Sequence, residues 1–480
     1  MLDHIIPMPK KVIRKNGAFK GAAKVCSRCG NWEVYAQTAA DSLARMFFAD
    51  FAIGEGGAEL VFCPDVEKGH YRIESDENGL KVCASEESGL CFGIASLLQL
   101  VEFEDGRLCA EGCVIEDWGD KEYRGLMLDL VVWHPLSKVL RLLDVCFFLK
   151  VPYVHLHLID NVACRIPMKA FPELTHKKYA YSEEDIVTIR RYAAARGLKL
   201  IPEFDVPGHA RTLVNTYPDV FGNHIDPGAS IEGEATEVGF AIRTDDVVCA
   251  GSEKCRDGLK TIFAELAEMF PESEYIHIGG DEAYIQVWGH CPDCREYMEK
   301  NGIADRYELY SDFVAQMAQC VIDLGRTPIV WEGFPRKGSQ RIPKQTIVIA
   351  WESLYNIAPD LLEDGFKIIN GSWEPLYIFC NTRRWTKEDI MAWDVCQWRN
   401  WWDQSKAYEK PIRVEDSDKI WGAQISIWGS NYEMEINNAM ENLGAMAERT
   451  WNLDRRADDA EYHVMSDKMT RRLSTMIQDR

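Results

Sequence analysis

Tyr275-Ile276-His277-Ile278-Gly279-Gly280-Asp281-Glu282 is the stretch from which the rest of this chain is read. Apolar residues bounded by Pro271 upstream and a glycine pair downstream predict a short buried strand that opens into a loop. Two carboxylates stand at that mouth. Adjacent acids at the end of a buried strand repel one another and resist desolvation, so one is expected to keep its proton near neutral pH while the other stays ionised. An acid beside an anion is what glycoside cleavage uses. A solvated turn carrying two acids is the plainer alternative, and the weight against it comes from the other strands.

The same strand-then-loop pattern recurs on both sides. Strands are predicted at 125–128, 153–158, 198–202, 275–278, 328–331, 346–351, 367–370 and 423–428. Helical stretches at 136–149, 183–196, 254–269, 307–324 and 434–451 separate most of them, which calls for parallel strands joined by crossover helices. Eight such units close into an α/β (β/α)₈ TIM barrel. The link 333–345 is short and holds Pro335 and Pro343, so the helix after the fifth strand is expected to be missing or reduced.

Chemistry in such a barrel belongs at the carboxyl ends of its strands. In chain order these ends carry Asp129; Asp160 and Arg165; Glu203, Asp205 and His209; Asp281 and Glu282; Trp331 and Glu332; Trp351 and Glu352; Tyr377; and Trp428. Charged groups ringed by large aromatics suit a sugar, whose hydroxyls need polar partners and whose C–H faces stack on rings.

Residues 1–118 read as a small supporting α/β domain, with helices at 39–51 and 89–101, strands at 59–63, 71–73 and 80–83, and a hairpin turn at Asn78-Gly79. Residues 119–480 then hold the catalytic barrel and a C-terminal helical extension. Over the whole 480 residues, 46% hydrophobic content is enough for a large core. A formal charge of −22 and a sequence pI near 5.0 argue against nucleic acid and anionic membrane surfaces as partners. The first residues lack the order of a signal peptide and no apolar run is long enough to span a bilayer, so a cytoplasmic protein is expected. Sixteen scattered cysteines fit reduced thiols. Cys26/Cys29 and Cys291/Cys294 could each give zinc two thiolates, but neither has an obvious second pair in its own neighbourhood, so no metal and no cofactor is expected.

Four ordered motifs resemble those of the family 20 glycoside hydrolases, the β-N-acetylhexosaminidases: Tyr123-Arg124-Gly125-Leu126-Met127-Leu128-Asp129, His155-Leu156-His157-Leu158-Ile159-Asp160, Ile201-Pro202-Glu203-Phe204-Asp205-Val206-Pro207-Gly208-His209-Ala210, and His277-Ile278-Gly279-Gly280-Asp281-Glu282. The resemblance implies removal of single terminal β-linked N-acetylhexosamine residues from an oligosaccharide or glycoconjugate. It also implies substrate-assisted retention, in which the 2-acetamido oxygen attacks the anomeric carbon to give an oxazolinium ion. Glu282 would be the general acid and then the base, kept neutral by desolvation. Asp281 would hold the acetamido N–H, the two residues pointing apart because neighbours on an extended strand end do so. Arg124 would bind the 3- and 4-hydroxyls. Trp331, Trp351 and Trp428 would box the acetamido methyl, Tyr377 would donate to its carbonyl oxygen, and Asp160 with His209 would support Glu282.

Departures from the family pattern concern the 4- and 6-positions of the sugar. Phe379 stands where the family has an acid two residues past the tyrosine, and Gly429-Ser430 where it has a glutamate, with Glu374 or Asn381 as possible replacements. Asn161 and Leu156 also differ from the usual acid and tryptophan. An axial 4-hydroxyl or a 6-substituent is therefore expected to be tolerated, so GlcNAc and GalNAc are both candidates. Two rival readings are a metal-dependent barrel hydrolase using His155 and His157, and a sugar-binding barrel without turnover.

Overall fold

The computed structural model describes residues 2–225, 231, 236, 239, 241–379, 385–429, 431–455 and 457–478. Asn381 and Ser430 lie outside these residues. Eight parallel strands close on one another: β1 (Tyr123–Asp129), β2 (Tyr153–His157), β3 (Lys199–Val206), β4 (Tyr275–Gly279), β5 (Thr327–Trp331), β6 (Ile347–Ala350), β7 (Lys367–Asn370) and β8 (Ile420–Trp428). Each pairs with the next, and β8 pairs with both β7 and β1, so no barrel edge is left unpaired. Helices α1 (Leu136–Phe148), α2 (Glu183–Ala194), α3 (Glu253–Met269), α4 (Gln286–His290), α5 (Pro292–Asn301), α6 (Arg306–Asp323) and α7 (Tyr432–Trp451) include the main outer crossovers. As the prolines required, only a single turn at Ser339–Arg341 separates β5 from β6.

Strand alternation sorts the barrel interior from its outer face. Along β1, Tyr123 points inward, where its ring stacks on Tyr153 (4.5 Å between centroids) and meets Trp421 (4.8 Å). These rings, with Tyr275, fill the amino end of the barrel. Arg124 therefore faces outward at that same end, five residues before Asp129 and roughly 17 Å below the carboxyl mouth at about 3.3 Å per residue. Its guanidinium lies over the rings of Trp451 (4.7 Å) and Phe92 (5.2 Å) and donates to the carbonyls of Lys150 and Lys121. The expected role of Arg124 in binding sugar hydroxyls is thus overturned by the period of the strand; it belongs to the domain junction.

That junction has a buried polar centre. Asp117, the last residue of the N-terminal domain's strand Arg107–Asp117, accepts from Trp451 Nε1 (2.8 Å), Tyr71 Oη (2.5 Å) and Lys150 Nζ (3.2 Å). In that domain the strands Tyr71–Asp76 and Gly79–Ala84 form the expected hairpin, but its two loop residues are Glu77 and Asn78, with Gly79 already paired to Asp76. The first helix runs over Glu33–Phe47 instead of 39–51, because Tyr35, Ala36, Ala39, Ala40, Leu43 and Met46 form one buried stripe that ends at Phe48 in the left-handed region (φ +50°). The sequence reading also passed over the strand Lys11–Ala22, paired antiparallel with Arg107–Asp117. It is an edge strand with both faces mostly exposed, so it lacks the apolar alternation that would betray it.

Candidate active site

Strand β4 stops short because glycine is needed beneath Asp205. A Cβ on Gly279 (φ +72°) would lie 1.7 Å from Asp205 Oδ1, and Gly280 follows at φ +102°. Glu282 itself is left-handed at φ +45°, a conformation that costs a non-glycine residue about 1 kcal/mol or more and needs support from its surroundings. This turn, rather than the alternation of an extended strand, sends Asp281 and Glu282 apart. The Asp281 side chain keeps 10% of its surface exposed and that of Glu282 49%.

Burial consequently falls on the residue for which it was not expected. It pushes the Asp281 carboxyl up to about 7, against the pull of His209 and with Glu282 and Glu203 adding to the rise. Asp205, wholly buried beside it, is raised well above the ordinary carboxyl range by burial and by Asp281. Two acids so placed do not both ionise readily. Glu282 instead looks into the solvent-filled mouth.

His209, also left-handed (φ +51°), connects Glu282 to Asp160. Its Nε2 lies 3.1 Å from Glu282 Oε2 and its Nδ1 3.0 Å from Asp160 Oδ1. Although burial disfavours the cation, Asp205, Asp160 and Glu282 raise the His209 pKa well above 6.5. Asp160 is held ionised by His157 and His209 in spite of its burial. The line Asp160–His209–Glu282 therefore stores a proton one hydrogen bond from the carboxylate at the mouth. Asp160 and His209 take the supporting positions expected of them, and Asn161 Oδ1 fixes the following turn by accepting from Arg211 N.

Beneath this line, Glu203 gathers the histidines. His155 Nε2 lies 3.1 Å from Glu203 Oε2, His277 Nδ1 2.9 Å from Oε1, and Trp331 Nε1 donates to Oε1 at 2.7 Å, while His157 Nδ1 closes on Oε2. Burial opposes its ionisation, yet His157, His277 and His155 hold it far below the usual carboxylate range. The His155-Leu156-His157 pair, read as a possible metal-ligand signature, lies against this buried carboxylate, to which Trp331 also donates.

The four predicted aromatics form a closed ring. Trp331 meets Trp351 at 6.0 Å, Trp351 stacks on Tyr377 at 5.4 Å, Tyr377 meets Trp428 at 6.0 Å, and Trp428 returns to Trp331 at 6.2 Å. Trp351 is pinned by donating from Nε1 to the Glu332 carbonyl (2.6 Å). The Glu332 carboxylate accepts the backbone N–H groups of Trp351, Ser353 and Leu354, a positioning role. The Tyr377 phenol, deprotonated only far above its ordinary range because of burial, lies in the field of Glu282, Asp281 and Glu352.

Part of the wall escaped the sequence reading. Trp373 packs on Tyr377 (5.5 Å), Trp401 (5.1 Å) and Trp402 (5.8 Å), continuing the ring outward. The adjacent Trp401-Trp402 was visible as a signal, but no strand or helix period tied it to the barrel. Glu352, already named at a strand end, is also at the mouth: burial, Glu282 and Glu332 raise its pKa well above the normal carboxyl range. Glu282, His209, Glu352, Tyr355 and Trp402 line a cavity of about 330 Å³ on the outer side of Glu282. Arg165 is spent on the carbonyls of Val131 and Tyr179, and Asp129 accepts from Gly429 N (3.0 Å). Phe379 is 48% exposed and stacks on Tyr377 at 6.2 Å, and Glu374 sits 3.6 Å from Arg399.

The chain is similar to known proteins over most of its length. Residues 122–454 match the description "Glycosyl hydrolase family 20, catalytic domain" and residues 3–118 "Glycosyl hydrolase family 20, domain 2". A beta-hexosaminidase of Vibrio furnissii is 26% identical over 455 residues, covering 88% of this chain and 72% of that protein. One from Akkermansia muciniphila is 27% identical over 417 residues, 81% and 80% of the two. Among solved structures, the beta-N-acetylhexosaminidase of Bacteroides fragilis superposes with a TM-score of 0.81 at 23% identity, covering 98% of this chain and 96% of that one. The exo beta-N-acetylglucosaminidase of Vibrio harveyi gives 0.82 at 22%, covering 100% and 79%. With the family's catalytic description spanning most of its length, this chain belongs to glycosyl hydrolase family 20 and is a glycoside hydrolase.

Proposed function

We propose that the chain releases a terminal β-linked N-acetylhexosamine by retaining, substrate-assisted hydrolysis. The observation that carries this reading is the division of labour between neighbours: Asp281 is buried in the field that also reaches Tyr377 of the aromatic ring, and Glu282 is exposed and tied to His209. The methyl of a 2-acetamido group fits an aromatic ring of this kind, its carbonyl oxygen accepts from Tyr377 Oη, and its N–H donates to Asp281. Held so, the acetamido oxygen attacks the anomeric carbon as the glycosidic bond breaks, and Glu282 gives its proton to the leaving oxygen. Ionised Asp281 stabilises the charge that grows on the acetamido nitrogen. Glu282 then takes a proton from water as that water opens the oxazolinium ring, returning product with the original anomeric configuration.

A protein nucleophile is poorly served here. Both Glu203 oxygens are engaged by histidines and Trp331, both Glu332 oxygens by backbone N–H groups, and Glu352 is held neutral. At the 4- and 6-positions we propose tolerance, because the exposed ring of Phe379 offers stacking where a carboxylate would demand one hydroxyl geometry.

Two aryl β-glycosides that differ only in carrying a 2-acetamido or a 2-hydroxyl group test the mechanism. Turnover restricted to the acetamido substrate is expected. Comparable turnover of both would sink the substrate-assisted route, and binding of either without turnover would favour a lectin-like barrel. Comparing kcat/KM on gluco, galacto and 6-sulfated acetamido glycosides tests the tolerance, and a strong preference for the plain gluco sugar would refute it.

A further inference from the structure

Three cysteines from two separate stretches of the chain meet behind the active-site loops. Cys249 precedes α3, while Cys291 and Cys294 bracket the start of α5. Cys249 Sγ lies 3.6 Å from Cys291 Sγ and 3.7 Å from Cys294 Sγ, all three are fully buried, and their sulfurs fall within 4.8 Å of one another. These separations are too long for a disulfide. They match the edge of a tetrahedral zinc–thiolate site, where bonds of about 2.3 Å place neighbouring sulfurs about 3.8 Å apart. The pair Cys291/Cys294, expected from sequence to be free thiols for want of further ligands, acquires a third from residues 42 positions away in the chain.

The surroundings are built for negative sulfur. Gly251 N–H donates to Cys294 Sγ (3.3 Å). Backbone hydrogen bonds from Cys294 and His224 reach the Cys291 sulfur, and one from Ser252 reaches that of Cys249. Each of the three sulfurs therefore accepts backbone N–H, the second-layer contact that stabilises thiolate ligands. The backbone is closely packed beside the cluster: a Cβ on Gly251 would lie 2.4 Å from the Asp293 carbonyl. Cys255, buried in the first turn of α3, is the next sulfur along, its thiol raised by burial and by Cys249. By contrast, among the described residues no third ligand atom joins Cys26 and Cys29.

We propose that Cys249, Cys291 and Cys294 bind a structural zinc ion that staples the loop after β3 to the loop after β4. The first of these loops carries His209 and Asp246, and the second carries Asp281 and Glu282. Trp288 Nε1 donates to the Val248 carbonyl (2.8 Å) and Val248 N–H to the Pro207 carbonyl (3.0 Å), so the staple sits on a hydrogen-bonded bridge that reaches Pro207, in the same loop as His209. On binding, the thiols lose their protons to solvent and no redox change is involved.

The full-length chain is purified without chelator from zinc-supplemented medium and its metal measured by mass spectrometry. About one zinc per chain is expected, falling below about a tenth in Cys249→Ser and Cys294→Ser and unchanged in Cys164→Ser, whose thiol is buried elsewhere. Because the serine variants could fail to fold, the wild type carries an independent readout. Cobalt(II) added to the stripped protein should produce a thiolate-to-metal charge-transfer band. Zinc should also protect these thiols from alkylation until a chelator is added. Wild-type protein that takes up neither metal, with equal alkylation in its presence and absence, would overturn the proposal. None of these readouts depends on glycosidase activity.

Discussion

His209 Nε2 stands 3.1 Å from Glu282 Oε2, and both residues hold left-handed backbones, at φ +51° and +45°. Two strained residues from consecutive strand ends thus meet across one hydrogen bond. Strain of this kind survives where packing over-determines it, and here it fixes the Glu282 carboxylate against His209.

Replacing Glu282 by Gln keeps its shape but removes the transferable proton. With a poor leaving group kcat should fall about 10²- to 10⁴-fold, and much less with an activated aryl leaving group, because departure then needs little protonation. Steady-state kinetics on a leaving-group series checks this, and equal losses across the series would contradict the acid assignment.

In the proposed mechanism Asp281 acts ionised, and its carboxyl is pushed up to about 7 by burial. The kcat/KM for an acetamido substrate should therefore decline as pH falls through about 7, and Asp281→Asn should abolish both that limb and most of the activity. The linkage has the opposite sign for stability. A carboxyl raised in the folded state favours folding at low pH and loses that contribution as pH rises through about 7. Asp281→Asn should thus flatten the stability loss seen as pH rises towards about 7 in denaturant titrations.

The cation on His209 pulls Asp281 down, so a neutral His209→Gln variant should move the acid limb of kcat/KM to higher pH. A limb that stays in place would show that His209 acts on Glu282 alone.

Arg124→Ala should leave KM nearly unchanged and destabilise the fold by about 2–3 kcal/mol, the scale of a buried charged hydrogen-bonding group. It tests the relocation of Arg124 to the junction with Trp451 and Phe92. A large rise in KM with normal stability would restore it to the sugar.

Tyr377→Phe keeps the ring of four aromatics and removes one donor. About a tenfold fall in kcat/KM on acetamido substrates is expected, the worth of roughly 1.4 kcal/mol of hydrogen bonding. Substrates lacking the acetamido group should not register the change.

Local sequence determined the barrel and which residues stand at its strand ends. The eight strands are short apolar runs separated by helical periods, and these patterns depend only on neighbours in the chain, so they were legible along with Asp281, Glu282, His209 and the aromatics of the ring. What sequence alone could not settle is whatever depends on direction or on distant partners. Arg124 sits in a family motif, but alternation against the inward-facing Tyr123 turns it to the outer side of the strand, at the end opposite the mouth. Which acid of the pair is desolvated was decided by a left-handed turn at Glu282, itself made possible by Gly279 beneath Asp205. The third thiol of the Cys249, Cys291 and Cys294 cluster came from a separate loop, because ligand sets are assembled in space and sequence spacing records only those members that share one turn.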